Sequence, residues 1–286
     1  MSWLVLTILG MFAVATADVS QKITLKGQSP LSSITNNFLV WNGIGVLALI
    51  YFLLSGQKLP VLTPTFYYQF APMTVLYFLG GTFYYQSFKS KSVSISAVLA
   101  TISSVMTTIL GIFLYGESTH PLKFLGSAFI IVAIFMVNFH KNSHFDKYNL
   151  YALLGGIFYG FAYALDKHFV LNSTPDFYQI VLCFAVGMAS LIFSPARIVK
   201  ELKHFHRGLL ISIISSTFFF FLYQKFYFLA YTRGGEVGRI DVLNNTTIFI
   251  VILLEYFLLK DRTNLRQKIL SAIIAVIGAT LLSIAN

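Results

Sequence analysis

Charged residues are scarce in this chain: Asp, Glu, Lys and Arg together make up 10% of its 286 residues, against about 25% in soluble globular domains. An ordinary solvated fold is excluded on that ground alone. Cysteine occurs once, at Cys183 inside an apolar run, so no internal disulfide can form and the redox compartment stays open. Nucleotide-binding and catalytic patterns are missing as well. Gly234-Gly235-Glu236-Val237-Gly238 departs from GxGxxG and follows no strand. His140 with His144, and His204 with His206, stand close together, but no cysteine or carboxylate cluster completes a metal site around them. No serine, histidine and acid recur at a common depth. The sequence therefore predicts no metal, no cofactor and no enzymatic activity. Ten helices of about 20 residues would consume about 200 positions, leaving short loops and no room for a soluble ATP-hydrolysing domain.

What the chain has instead is apolar length. Hydrophobic residues make up 57% and the mean hydropathy is +0.76. Ten apolar segments are predicted at about residues 3–21, 36–54, 66–87, 93–114, 121–137, 150–170, 177–193, 209–231, 240–258 and 268–285. Their length argues for helices, since membrane strands would be short and alternating. Segment 1 ends in alanine-rich steps resembling a signal-cleavage site. It lacks a basic leader, and its repeat partner is internal, so it is kept as a helix. Turn chemistry separates the runs at Gly56 to Pro60, Gly116 to Pro121 and Asn172 to Pro175.

The segments form two copies of one unit. Placing Gly10 on Gly155 puts Gln21 on Asp166 and Lys22 on Lys167, a shift of 145. Thr119, Ser127, Ala128, Ile130 and Val132 fall on Thr263, Ser271, Ala272, Ile274 and Val276, a shift of 144. Five spans per copy is an odd number, so the copies must cross the bilayer in opposite directions. The expected architecture is an all-α membrane protein of ten transmembrane helices in two inverted five-helix repeats, 1–139 and 149–286, joined by a polar linker at 140–148. Inverted repeats meeting near the midplane are the architecture of alternating-access carriers. Small residues at four-residue spacing, Ala152, Gly156, Gly160 and Ala164 in segment 6 and Ser96, Ala100, Ser104 and Thr108 in segment 4, predict faces where helices approach closely.

The net charge of +10 does not mark a nucleic-acid protein, because the basic residues gather at the ends of apolar runs, where anionic lipid headgroups lie. Fourteen of the 20 Lys and Arg stand at the loops that follow segments 1, 3, 5, 7 and 9. The positive-inside rule puts those loops in the cytoplasm and both termini outside.

The stretch from Ser92 to Asn138 resembles the repeat unit of the EamA-like branch of the drug/metabolite transporter superfamily. The residues that carry the resemblance are Ser94-Ile95-Ser96-Ala97-Val98-Leu99-Ala100, then Leu114-Tyr115-Gly116-Glu117, then Leu125-Gly126. The second copy departs from the pattern, with Leu259-Lys260-Asp261-Arg262 at the turn and Leu270 at the early helix glycine. The resemblance implies a ten-helix carrier of small metabolites, often an exporter, with a cavity lined by segments 1, 3, 4, 6, 8 and 9. It also implies cytoplasmic termini, opposite to the loop charge.

Polar side chains inside a bilayer are costly and belong at a cavity or a partner. They concentrate here in segments 1, 3, 4, 6, 8 and 9. Tyr84, Gln86, Ser104, Tyr163, Asp166, Gln224, Lys225, Tyr227 and Asn244 are predicted to line one central cavity. Lys225 either snorkels to the headgroups or anchors an anionic group of the substrate. Asp18 and Glu255 are the candidate proton-coupling carboxylates, with pairing to a basic residue the plainer alternative. Arg239, Asp241 and Asn245 open segment 9 with further polar groups. The expected function is secondary transport, outward, of a small polar or zwitterionic, amino-acid-like metabolite across the plasma or inner membrane, by a monomer or homodimer. A flippase for a lipid-linked substrate and, behind it, a membrane-embedded enzyme are the alternatives.

Overall fold

The computed structural model describes all residues except 26–30, 90–91, 116–118, 139–145, 204, 206, 236 and 285–286. The described residues are helical, with no strand. In chain order the helices are α1 (Trp3–Leu25), α2 (Ser33–Leu54), α3 (Pro64–Ser87), α4 (Val93–Ala100), α5 (Ile102–Tyr115), α6 (Pro121–Asn138) and α7 (Lys147–Leu171). They continue with α8 (Pro175–Phe193), α9 (Pro195–Lys203), α10 (Arg207–Thr232), α11 (Val237–Asn245), α12 (Thr247–Leu258) and α13 (Leu265–Ile284). Five stretches are long and apolar enough to cross a bilayer: Trp3–Leu25, Ser33–Leu54, Val93–Leu110, Pro175–Phe193 and Gly208–Thr232. Pro121–Met136 and Leu243–Leu258 are shorter apolar helices. α3 and α7 are longer, at 24 and 25 residues, but polar side chains such as Gln69, Asp166 and Lys167 dilute them.

Helix starts follow local chemistry. The Ser32 hydroxyl accepts from the Thr35 amide at the start of α2, Asp146 accepts from Tyr148 and Asn149 at the start of α7, and Thr174 accepts from Phe177 at the start of α8. Each satisfies donors that the first helical turn leaves orphaned. Pro64 and Pro175 occupy the first turn of α3 and α8, where a missing N–H costs nothing. α2 stops at Ser55 and Gly56, and Gly56 has φ +62°, a left-handed geometry that glycine adopts without strain.

Segments 4 and 9 run on through one tightened turn each, here called a break, the first at Thr101 between α4 and α5 and the second at Thr246 between α11 and α12. The two positions are 145 apart, the shift that relates the copies, and their backbones coincide: φ −62°, ψ −11° at Thr101 and φ −68°, ψ −12° at Thr246. Each threonine hydroxyl donates at 2.6 Å to the carbonyl three residues back, Val98 or Leu243. That bond competes with the regular ladder and tightens the turn. A thirteenth helix, α9, occupies what reads in sequence as a loop. Its Glu201 carboxylate accepts from the Ser32 amide and hydroxyl at 2.8 and 2.9 Å.

The packing respects the duplication. α1 packs on α10 and α3 on α7, pairings that interchange when the copies are exchanged, while α2 packs on α8 and α6 on α13, each element against its counterpart. The segment 6 face meets segment 4 at Ala100 as expected but then at Ser103, while Ser104 turns to Asn245. A Cβ at Gly156 would lie 2.7 Å from the Ala100 carbonyl oxygen, and one at Gly160 would lie 2.7 Å from that of Ser103. Here α7 crosses the Thr101 break at backbone distance, which any larger side chain would prevent. Most of the expected linker, with His140, His144 and also Glu117, His204, His206 and Glu236, lies outside the described residues, as do the side chains of Arg239 and Asp241.

Candidate functional site

A cavity of about 110 Å³ lies where α1, α2, α3, α7 and α10 converge on the two broken helices. Both threonine breaks reach it: Thr101 and Ser103 line it from one copy, Asn244, Asn245 and Thr247 from the other. The Asn245 amide donates to the Ser104 hydroxyl at 2.6 Å, a direct hydrogen bond between the broken helices.

Ten of the 24 lining residues are aromatic, and seven of those are tyrosines. Tyr159 and Tyr163 stack with centroids 5.4 Å apart at 7°. Tyr163 continues to Tyr227 at 6.1 Å, and Tyr227 to Tyr223 at 5.5 Å. Trp41 meets Tyr77 edge-on at 5.4 Å. The i, i+4 spacing of 159 and 163 in α7, and of 223 and 227 in α10, puts each pair on one helix face. The result is a wall of apolar ring faces with hydroxyls at the rims.

Of the residues expected in the cavity, Tyr84, Tyr163, Gln224, Tyr227 and Asn244 line it, and so does Asp18. Asn244 donates to the Tyr223 hydroxyl at 3.4 Å, and the Gln224 carbonyl accepts from the Cys183 thiol at 3.1 Å and Gln179 at 3.4 Å. Asp18 is 5% exposed. Its Oδ2 accepts from the Tyr84 hydroxyl at 3.0 Å, and its Oδ1 has no hydrogen-bond partner among the described residues.

The others are placed elsewhere. Ser104 stands one contact back, behind Asn245. Asp166 lies behind Tyr77 and accepts from the Tyr77 and Tyr178 hydroxyls at 2.5 and 2.6 Å. Gln86 is in the last turn of α3 and is not among the lining residues. Lys225 neither snorkels nor enters the cavity. Its ammonium pairs with the Asp176 carboxylate and sits 3.6 Å above the Tyr51 ring, while Gln57 donates to the other Asp176 oxygen at 2.6 Å. Glu255 is also removed from the cavity. Its carboxylate accepts from the Val93 amide at 2.6 Å and from the Ser92 and Ser94 hydroxyls at 3.1 and 2.5 Å, and it pairs with Lys268 at 3.3 Å. It caps α4 from the other copy, where the helix N-terminus favours negative charge. Lys22 is buried and donates to the Phe88 carbonyl at 2.6 Å.

Sequence reasoning missed three groups. α2 contributes Trp41 and Ile44 to the cavity, and it carries the buried Asn36, which donates to Gln21 at 2.5 Å, and Asn37, which donates to Thr82 at 3.3 Å. Asp176 was overlooked as the partner of Lys225. The available signal was its place in the first turn after Thr174-Pro175, where an acid reads simply as favourable to the helix dipole. Thr101 and Thr246 were visible only by aligning the copies and asking which polar residue recurs at mid-span.

A helical, multi-pass membrane protein with a central cavity lined by both copies of an internal repeat is a transporter in class. The model of the EamA-like transporter family matches residues 1–139 and again 146–284, and the chain belongs to that family. Members of the family are transporters of the drug/metabolite transporter superfamily rather than enzymes. A solved structure described as "Crystal structure of protein" shares the fold, with a TM-score of 0.64 over 97% of each chain at 13% identity. No curated protein matches the chain significantly.

Proposed function

We propose that this protein is a secondary carrier that moves a small polar or zwitterionic, amino-acid-like metabolite out of the cell by alternating access around the aromatic cavity. On this reading it has ten spans, with α4–α5 and α11–α12 each counted as one and α9 lying at the surface. Copies 1–139 and 149–286, joined at 140–148, are related by a half-turn about an axis in the membrane plane. The observation that carries the proposal is the pair of equivalent breaks, at Thr101 and Thr246, that both copies bring to the cavity. Irregular turns in helices at a repeat interface are where carriers of this architecture can place polar backbone beside their cargo. Of the two candidate coupling carboxylates, only Asp18 lines the cavity, so proton coupling is assigned to it. The protein is placed in the plasma or inner membrane, as a monomer or homodimer.

Cys183 is the only cysteine, so a Cys183→Ser background accepts a single new thiol at Thr247 in the cavity wall. In oriented proteoliposomes that thiol is expected to react with an impermeant reagent from both faces, in proportions that a transported solute shifts. Labelling from one face under every condition overturns alternating access. A panel of labelled amino acids, amines and nucleosides in the same vesicles identifies the cargo.

Orientation follows the loop charge, three of whose fourteen basic residues, Arg197, Lys200 and Lys203, are carried on α9. A reporter fused to the C-terminus is expected outside the cell. A cytoplasmic signal means that insertion follows the opposite, family-like topology.

A further inference from the structure

The cavity carries charge of one sign. Among the described residues that line it there is one carboxylate, Asp18, and no Lys, Arg or His. The cation nearest in sequence to the lining residues, Lys225, is already matched to Asp176 and capped by the Tyr51 ring. A solute arriving with a net negative charge would meet Asp18 with no compensating cation in the wall, and repulsion in a low-dielectric site is strong.

Asp18 is also incomplete. Burial removes its water, Tyr84 satisfies one oxygen, and Oδ1 is left without a donor. A buried carboxylate in that state is completed by a proton or by a charged donor, and a cation can take the place of the proton that the coupling role supplies. Around it stand ring faces, beginning with Tyr84 and Tyr159, whose centroids are 6.0 Å apart, and continuing along the tyrosine row. Aromatic faces attract cations, most strongly where water is excluded. Trp41 Nε1 and Thr247 Oγ1 are likewise buried in the wall without hydrogen-bond partners among the described residues, and they offer orienting contacts to a polar group elsewhere on the same molecule.

We infer that the cargo is an organic cation: a primary or substituted ammonium on an apolar or aromatic body, with the ammonium on Asp18 and the body against Tyr159, Tyr163 and Tyr227. The inference rests on the carrier reading and narrows its polar-or-zwitterionic cargo to molecules whose recognised group is positive.

The sequence supplies its own reporter, because Trp3 and Trp41 are the only tryptophans. In a Trp3→Phe protein reconstituted in nanodiscs, Trp41 fluorescence reads the cavity alone. Three probes of one shape differ only in charge at neutral pH: phenethylamine, 2-phenylethanol and 3-phenylpropionate. Phenethylamine is expected to bind at least about tenfold more tightly than the alcohol, and the carboxylate is expected to bind most weakly. Asp18→Asn should erase the advantage of the amine over the alcohol, and Asp18→Glu should keep it. Equal or tighter binding of the alcohol or the carboxylate overturns the inference. So does the absence of a saturable response to all three, or an amine affinity indifferent to Asp18→Asn. If Asp18→Asn loses every ligand, Asp18→Glu decides, and its failure to retain the amine preference is an overturning result. Failure of the carrier reading looks different: the amine binds as expected, yet vesicles loaded with it show no protein-dependent efflux.

Discussion

Lys225→Met is expected to destabilise the protein by about 3–5 kcal/mol, the loss found when one member of a buried ion pair is removed and the other is left behind. The side chains of Lys225 and Asp176 are 10% and 9% exposed, so water does not replace the missing charge. The cation–π contact with Tyr51 is lost as well, adding to the deficit. Cys183, fully buried and the sole thiol, provides the measurement. Its reaction with a thiol-sensitive dye in detergent, followed against temperature, should begin at a markedly lower temperature in the variant. Pairing Lys225→Met with Asp176→Asn removes both charges and should recover most of the loss. A single variant as stable as the parent would show that Asp176 reaches water or another cation.

Glu255→Ala should produce a loss of about 2–4 kcal/mol by a different route, since it strips a carboxylate from two buried amides and two hydroxyls at the start of α4. Glu255→Gln, which keeps an acceptor but not the charge, should fall between alanine and parent in the same thermal measurement. Identical melting of all three would mean that other groups cap α4. Lys268 is not stranded by either change, because it also reaches Asp261 at 3.2 Å. Burial alone would raise the Asp261 carboxyl, but hydrogen bonds from Thr263 and the Lys268 ammonium outweigh it and hold it below the ordinary 3.8. Its contribution is therefore complete at neutral pH and fades only as the pH falls below about 4 toward the folded-state value. The comparison is best made near neutrality, where Asp261 does not titrate.

The parts of this fold legible in the sequence are those governed by local and additive physics. Apolar length locates the segments, Thr174-Pro175 and Gly56 mark a helix start and a stop, and the duplication survives as an offset of 144–145 residues. The tyrosine wall was partly legible too, because 159 with 163 and 223 with 227 repeat at helical spacing. The errors concern partnership. Lys225 reads as a free cation until Asp176 is brought beside it from 49 residues away, and nothing in either local sequence encodes that meeting. For Glu255 the plainer reading, pairing with a basic residue, is the one Lys268 fulfils at 3.3 Å, and only its contacts with residues 92–94 of the other copy are hidden in the sequence. α2 looked inert because Trp41 counts as apolar and because Asn36 and Asn37 sit at its first turns, where polar residues draw no attention.

The Lys225–Asp176 pair has no twin. Moving back by the repeat shift of 145 puts Gly80 where Lys225 would be and Leu31 where Asp176 would be, and neither can carry charge. A carrier built from two identical halves would weigh its two faces equally, since exchanging the halves turns one state into the other. On the carrier reading, this pair, which holds α2, α8 and α10 together, is one element of the chain that breaks that degeneracy. Parting those helices would sacrifice an ion pair and a ring contact for which the repeat-related positions offer no counterpart. On the carrier reading proposed above, the pair favours the arrangement in which α2, α8 and α10 stay together, against whatever the Glu255 contacts between α4 and α12 contribute elsewhere, and a cargo shifts that balance only to the extent that it binds one arrangement more tightly.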